Sequence, residues 1–156
     1  MAEINFLSSV KKIKRNLKKR EKKNISIVNI SKKYDFDYFD GDRKYGYGGY
    51  VNDGRWKSVA MKFIDYYNLK EGSKILDIGC AKGFLVNEFQ NLGMDAYGVD
   101  ISNYALRCAD DKIKHKLMIC DAKKINYPDN YFDLVVSFNT IHNLPLQSCL
   151  EAICEI

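Results

Sequence analysis

Residues 74–85 read Lys-Ile-Leu-Asp-Ile-Gly-Cys-Ala-Lys-Gly-Phe-Leu, with a carboxylate and two glycines just ahead of an apolar periodic run. Gly79 and Gly83 let backbone approach a ligand closely, and a helix starting after them offers unpaired N–H groups. Asp100 stands 21 positions after Gly79. That is the interval at which an acid holds a ribose diol. A carboxylate there accepts two hydroxyl hydrogen bonds and fixes the sugar. These residue types at this spacing describe a nucleotide-binding corner.

The elements that must position them follow from periodicity. Residues 74–78 are an apolar run bounded by Gly72-Ser73 and Gly79, which suits an interior parallel strand. Leu85, Val86, Phe89 and Leu92 recur at helical spacing, and Gly93 sits where a C-terminal cap belongs. Residues 95–100 read as a second strand ending in Asp100. Upstream, residues 55–68 read as a helix with Trp56, Val59, Ala60, Phe63, Ile64 and Tyr67 on its apolar side, capped by Asp53. Downstream, Ser102 caps a helix, 116–120 is a third strand ended by Asp121-Ala122, and 132–138 is a fourth. A loop at 139–144 and a helix from Leu146 close the chain. Such alternation builds an α/β fold, a doubly wound parallel sheet with helices on both faces. Ligands bind beyond the carboxyl ends of its strands, where strand order reverses. Gly79, Asp100, Asp121 and Asn139 all fall at such ends.

The first motif differs from the dinucleotide fingerprint, because G-x-G-x-x-G is absent and Asp77 precedes the turn. It resembles the D-x-G-x-G-x-G motif of the class I S-adenosylmethionine-dependent methyltransferases. Asp77, Gly79 and Gly83 match it. Ala81 replaces the middle glycine, which alanine tolerates where φ is negative. Phe132-Asp133-Leu134-Val135 resembles the same family's F-D-x-V segment. The resemblance covers residues 54–156. It implies a Rossmann-like sheet and S-adenosyl-L-methionine as cofactor, with S-adenosyl-L-homocysteine as product. It also implies a cofactor site of Asp77, Gly79, Cys80, Ala81, Gly83, Asp100, Ile101, Asp121, Ala122 and Asn139. Asp121 would accept from the adenine amino group or else cap a turn.

The expected reaction is methyl transfer to an oxygen or nitrogen of a small-molecule acceptor. Tyr47, Tyr50, His142 and Asn143 are the expected acceptor contacts, and His142 doubles as candidate general base because its ordinary pKa suits neutral pH. Two other readings stand beside this one. A nicotinamide-dependent oxidoreductase would use Asp100 equally well. A non-catalytic binding half-domain would complete its sheet with another chain. The family's sheet has seven strands and only four are legible here. The chain therefore reads as C-terminally truncated, its fourth strand an apolar edge open to self-association or covered by a partner.

Composition sets the outer bounds. The chain has 156 residues, 46% hydrophobic and 29% charged, as expected for one globular domain. No apolar run reaches membrane-spanning length and no signal peptide is evident. Five cysteines without C-x-x-C argue against a disulfide framework or a metal site and for a reducing cytoplasm. Cys80 reads as a small packing residue. Residues 1–53 divide into a basic leader and an aromatic, glycine-rich lid segment ahead of the cofactor domain at 54–156. In the leader, Ile4, Leu7, Val10, Ile13 and Leu17 fall on one helical stripe among lysines and arginines. Such a helix docks on anionic lipid or nucleic acid, or packs one edge on its own domain; nucleic acid is not favoured. Residues 24–56 mix glycines with aromatic residues and read as an ordered loop. Tyr34 to Phe39 are expected only to pack, while Tyr47 and Tyr50 offer faces to a sulfonium or a substrate.

Overall fold

A computed structural model describes residues 4–10 and 24–156. Four parallel strands form one sheet: β1 (Lys74–Ile78), β2 (Asp95–Asp100), β3 (Leu117–Ile119) and β4 (Leu134–Val136). Their spatial order is β3-β2-β1-β4. The chain steps outward from β1 to β3 and then returns to the far side of β1. The strand order therefore reverses between β1 and β4, which is where a parallel α/β sheet opens a crevice.

Among the described residues six α-helices accompany the sheet: α1 (Ile25–Ser31), α2 (Phe36–Phe39), α3 (Arg55–Tyr67), α4 (Phe84–Asn91), α5 (Asn103–Arg107) and α6 (Leu146–Cys154). Val59, Phe63, Val86 and Phe89 of α3 and α4 pack with Ile75 and Ala96 on one face. Leu76, Ile78 and Val99 gather Tyr97, Met118, Phe132 and Val135 on the other. β1 is apolar on both faces for that reason. Leu92 is the C-cap of α4, with Gly93 at φ 83 beyond it, and the Ser102 hydroxyl accepts the Ala105 N–H to start α5.

Several expectations need correction. Residues 24–56 are not all loop: Asn24 caps α1 and Asp35 caps α2, each through its own side chain. The glycines begin only after α2, so the loop reading holds from Asp40 onward. Gly54, not Asp53, is the N-cap of α3; the Asp53 carboxylate instead accepts from the Arg55 N–H and guanidinium. β3 and β4 are shorter than expected, with Lys116 taken into a one-turn 3-10 helix before β3. Over residues 4–10 the leader makes two successive turns, from which Phe6, Leu7 and Val10 pack on the core, while Ile13 and Leu17 of its expected stripe lie outside the described residues. Its basic run at 11–23 lies outside the described residues.

Candidate functional site

The carboxyl ends of all four strands surround a cavity of about 470 Å³, a volume ordinary for a small-molecule site. Asp100 closes β2 and turns back toward the glycine loop. One carboxylate oxygen accepts the Ala81 N–H at 2.7 Å and the other the Ser102 N–H at 2.8 Å. Each oxygen keeps a free lone pair. Burial pushes the Asp100 carboxyl up, and the backbone bonds from Ser102 and Ala81 oppose that.

Asp77 also lines the cavity and is buried. No donor among the described residues hydrogen-bonds to its carboxylate. Burial, and then the charge of Asp100, push it up to about 7. A carboxylate this dry and this poorly compensated favours a cation as its ligand.

The two matched glycines serve different ends. Gly79 has φ 78, and a Cβ there would collide with the Thr140 side chain of the loop after β4. Gly79 thus lets the first and fourth strand ends close on one cavity. Gly83 does not line the cavity: with φ 71 it caps α4, and a Cβ would fall 2.7 Å from Ile113 Cδ1. It serves packing instead of ligand approach. Ala81 departs from expectation as well. It has φ 52, a left-handed turn residue despite its methyl group. Its methyl nests beside Phe39 and Ala105, and its N–H is spent on Asp100.

The aromatic segment forms a wall of the same cavity. Tyr47 and Tyr50 line it, with ring centroids 4.5 Å apart, but so do Tyr34, Tyr38 and Phe39, which sequence reasoning had assigned to packing alone. Burial raises the phenol pKa of Tyr50 and Tyr47 and pushes Tyr38 up to about 12. All three are neutral donors at physiological pH. Asp40 holds this wall in place, and the sequence reading missed it. Its two oxygens each lie 2.7 Å from Lys82 Nζ, and it accepts from Tyr104 Oη at 2.6 Å and from the Tyr50 N–H at 3.0 Å. Partial burial raises the Asp40 carboxyl, but the hydrogen bonds from Lys82, Tyr104 and Tyr50 outweigh it and hold it low. The one available signal was Lys82, a cation inside the glycine turn.

The remaining expected residues divide. Cys80, Ile101, Asp121, Ala122, Asn139 and Asn143 all line the cavity. Asp121 accepts the Lys123 N–H at 3.0 Å, the turn-capping alternative, while still facing the cavity. Cys80 is buried, and burial raises its thiol well above the ordinary range. His142 is not brought in: it is exposed on a one-turn 3-10 helix and does not line the cavity, whereas its neighbours Thr140, Asn143 and Leu144 do. Among the described residues no group of His, Cys, Asp and Glu is placed to hold a metal ion. Nor is any helix there long and apolar enough to cross a membrane.

A glycine turn, an acid closing the second strand and a crevice at the strand reversal define a nucleoside-binding domain of the Rossmann-like class. Comparison with known proteins narrows this. The family described as "Methyltransferase domain" matches residues 76–156. The chain belongs to this family, the class I S-adenosylmethionine-dependent methyltransferases, whose cofactor is S-adenosylmethionine. It is 36% identical over 101 residues to phosphoethanolamine N-methyltransferase 3 of Arabidopsis thaliana, covering 60% of this chain and 20% of that one. It is 32% identical over 97 residues to the ubiquinone/menaquinone biosynthesis C-methyltransferase UbiE of Burkholderia cenocepacia, covering 57% and 39%. The chain thus spans well under half the length of either relative. The PH0226 protein of Pyrococcus horikoshii shares the fold, with a TM-score of 0.59 at 22% identity over 77% of this chain and 55% of that one.

Proposed function

We propose that this cavity holds S-adenosylmethionine and that the chain supports methyl transfer to an oxygen or nitrogen of a small-molecule acceptor. The residues present fit that cofactor. The Asp77 carboxylate lacks a donor among the described residues, the Gly79 turn leaves no room for a side chain, and the cavity is of nucleoside size. When bound, the cofactor supplies an already activated methyl group, so the protein need offer no nucleophile of its own.

The chain's residues then bind and orient. Asp100 takes the ribose hydroxyls on its free lone pairs, Asp77 faces the cationic end, and Asp121 faces the base. Tyr38, Tyr47 and Tyr50 exclude water and orient the acceptor, whose heteroatom lone pair would form the new bond to the methyl carbon as the carbon–sulfur bond breaks, its proton passing to solvent. Asn139 faces the methionine end of the cofactor and Asn143 the acceptor. Self-association through the edge strand β4 is a companion proposal, tested by sedimentation velocity.

The observation that carries the reading is Asp100, which is tied to the glycine turn through Ala81 N–H while sharing the cavity with Asp77. Calorimetric titration with S-adenosylhomocysteine and, separately, with NADH tests it. S-adenosylhomocysteine is expected to bind, and Asp100→Ala to weaken it by about 100-fold, roughly the loss of two hydrogen bonds to a charged acceptor. Binding of NADH in its place would favour the oxidoreductase reading.

A further inference from the structure

Part of the cavity's lining comes from the N-terminal residues and α3. Residues 4–10 are fastened to α3 by Lys62 Nζ, which donates to Ser8 Oγ at 2.7 Å and Ser9 Oγ at 3.1 Å. Ser9 Oγ lies 2.8 Å from Ser58 Oγ, and Phe6 stacks on Phe63 with centroids 4.0 Å apart. With this fastening, Leu7 and Val10 line the cavity, as do Val28, Trp56, Phe138 and Leu144. Trp56 and Phe138 meet edge to face at 5.4 Å and make the flat part of the wall.

Among the described residues the wall is mostly apolar, and two cations, Arg55 and Lys32, line the cavity with it. Asp77, Asp100 and Asp121 stand at the ends of the strands. Arg55 lines the cavity, but its guanidinium is engaged by the Asp53 carboxylate at 2.7 and 2.8 Å. Lys32 also lines it and is exposed. A hydrophilic acceptor would trade much of its hydration here for apolar side chains, with Lys32 at the exposed margin offering a charge only to an anion. A flat apolar one would gain burial against six apolar side chains and a hydrogen bond from a neutral tyrosine.

We propose that the acceptor is an uncharged, predominantly apolar molecule of the phenol type, seated between the N-terminal turn and Trp56. This rests on the reading that S-adenosylmethionine occupies the strand-end half of the cavity. Trp56 is the only tryptophan in the chain, so its emission reports on this wall alone. The test titrates protein saturated with S-adenosylhomocysteine using 4-butylphenol and, in parallel, phosphoethanolamine. The expected result is a saturable change in Trp56 emission with butylphenol and none with phosphoethanolamine. Leu7→Asn is expected to weaken butylphenol binding about tenfold, the loss of one large apolar contact, with unchanged affinity for S-adenosylhomocysteine. That unchanged affinity also shows the variant folded. In protein that binds S-adenosylhomocysteine, three results overturn the inference: no saturable response to butylphenol, a response to phosphoethanolamine instead, or a Leu7→Asn variant that binds butylphenol as wild type does. Failure to bind S-adenosylhomocysteine strikes the cofactor reading instead, so the two failures are told apart.

Discussion

Replacing Asp77 by asparagine removes the least compensated charge in the cavity. Its carboxyl is pushed up to about 7 by burial and by Asp100, against 3.8 for the ordinary group. Ionising it inside the empty fold costs about 4 kcal/mol, at 1.36 kcal/mol per pH unit. Because the folded value is the higher one, Asp77's contribution to stability is complete below about pH 3.8 and is lost as pH rises through 7. Asp77→Asn should therefore raise the melting temperature of ligand-free protein more at pH 8 than at pH 5. A cationic cofactor reverses the balance, since only the ionised form pairs with it. With a value near 7, about one carboxyl in eleven is ionised at pH 6 and about ten in eleven at pH 8. Wild-type affinity for S-adenosylmethionine should accordingly be weaker at pH 6 than at pH 8, by about tenfold. In the asparagine variant that slope should flatten. Isothermal titration calorimetry at both pH values, with differential scanning calorimetry of the apo forms, measures all of this. An unchanged pH slope in Asp77→Asn, or a variant no more stable than wild type at pH 8, would refute the assignment of a charged, cation-facing Asp77.

Other outcomes follow from the same geometry. Asp40→Ala removes the acceptor for Lys82, Tyr104 and Tyr50, and leaves Lys82 partly buried and unpaired; a loss of about 2 kcal/mol is expected by urea denaturation. Because Asp40 is held low, its contribution is present above the ordinary carboxylate range and fades as pH falls through its lowered value. Gly79→Ala combines a left-handed φ with a collision at Thr140 and should cost at least about 2 kcal/mol and abolish S-adenosylhomocysteine binding by calorimetry. Cys108 and Cys154 are exposed and should react quickly with a disulfide reagent, whereas buried Cys80 should react only on unfolding and be protected further by bound ligand; mass mapping of the labelled sites decides it.

The cofactor half of this protein was legible because its signals are local. Strands β1 and β2 fall at the positions their apolar runs mark, and Asp100 stands at the sequence interval that a β–α–β unit imposes. Hydrophobic period, glycine placement and capping residues act over a few positions, so a linear reading captures them. Ala81 shows where this stops: whether a methyl group can occupy a left-handed turn depends on Phe39 and Ala105, neighbours remote in sequence. His142 shows the same from the other side, since a one-turn 3-10 helix turned it to solvent while aiming Asn143 and Leu144 inward.

From its sequence alone this chain determined the parallel α/β order and the placing of acids at the strand ends. Only the tertiary structure decided what faces those acids. The Asp40–Lys82 clamp, the approach of Thr140 to Gly79 and the stacking of Phe6 on Phe63 join residues 42 to 61 positions apart. Contacts of that span are set by how helices and loops pack once the core has closed, and no local pattern of residues encodes them.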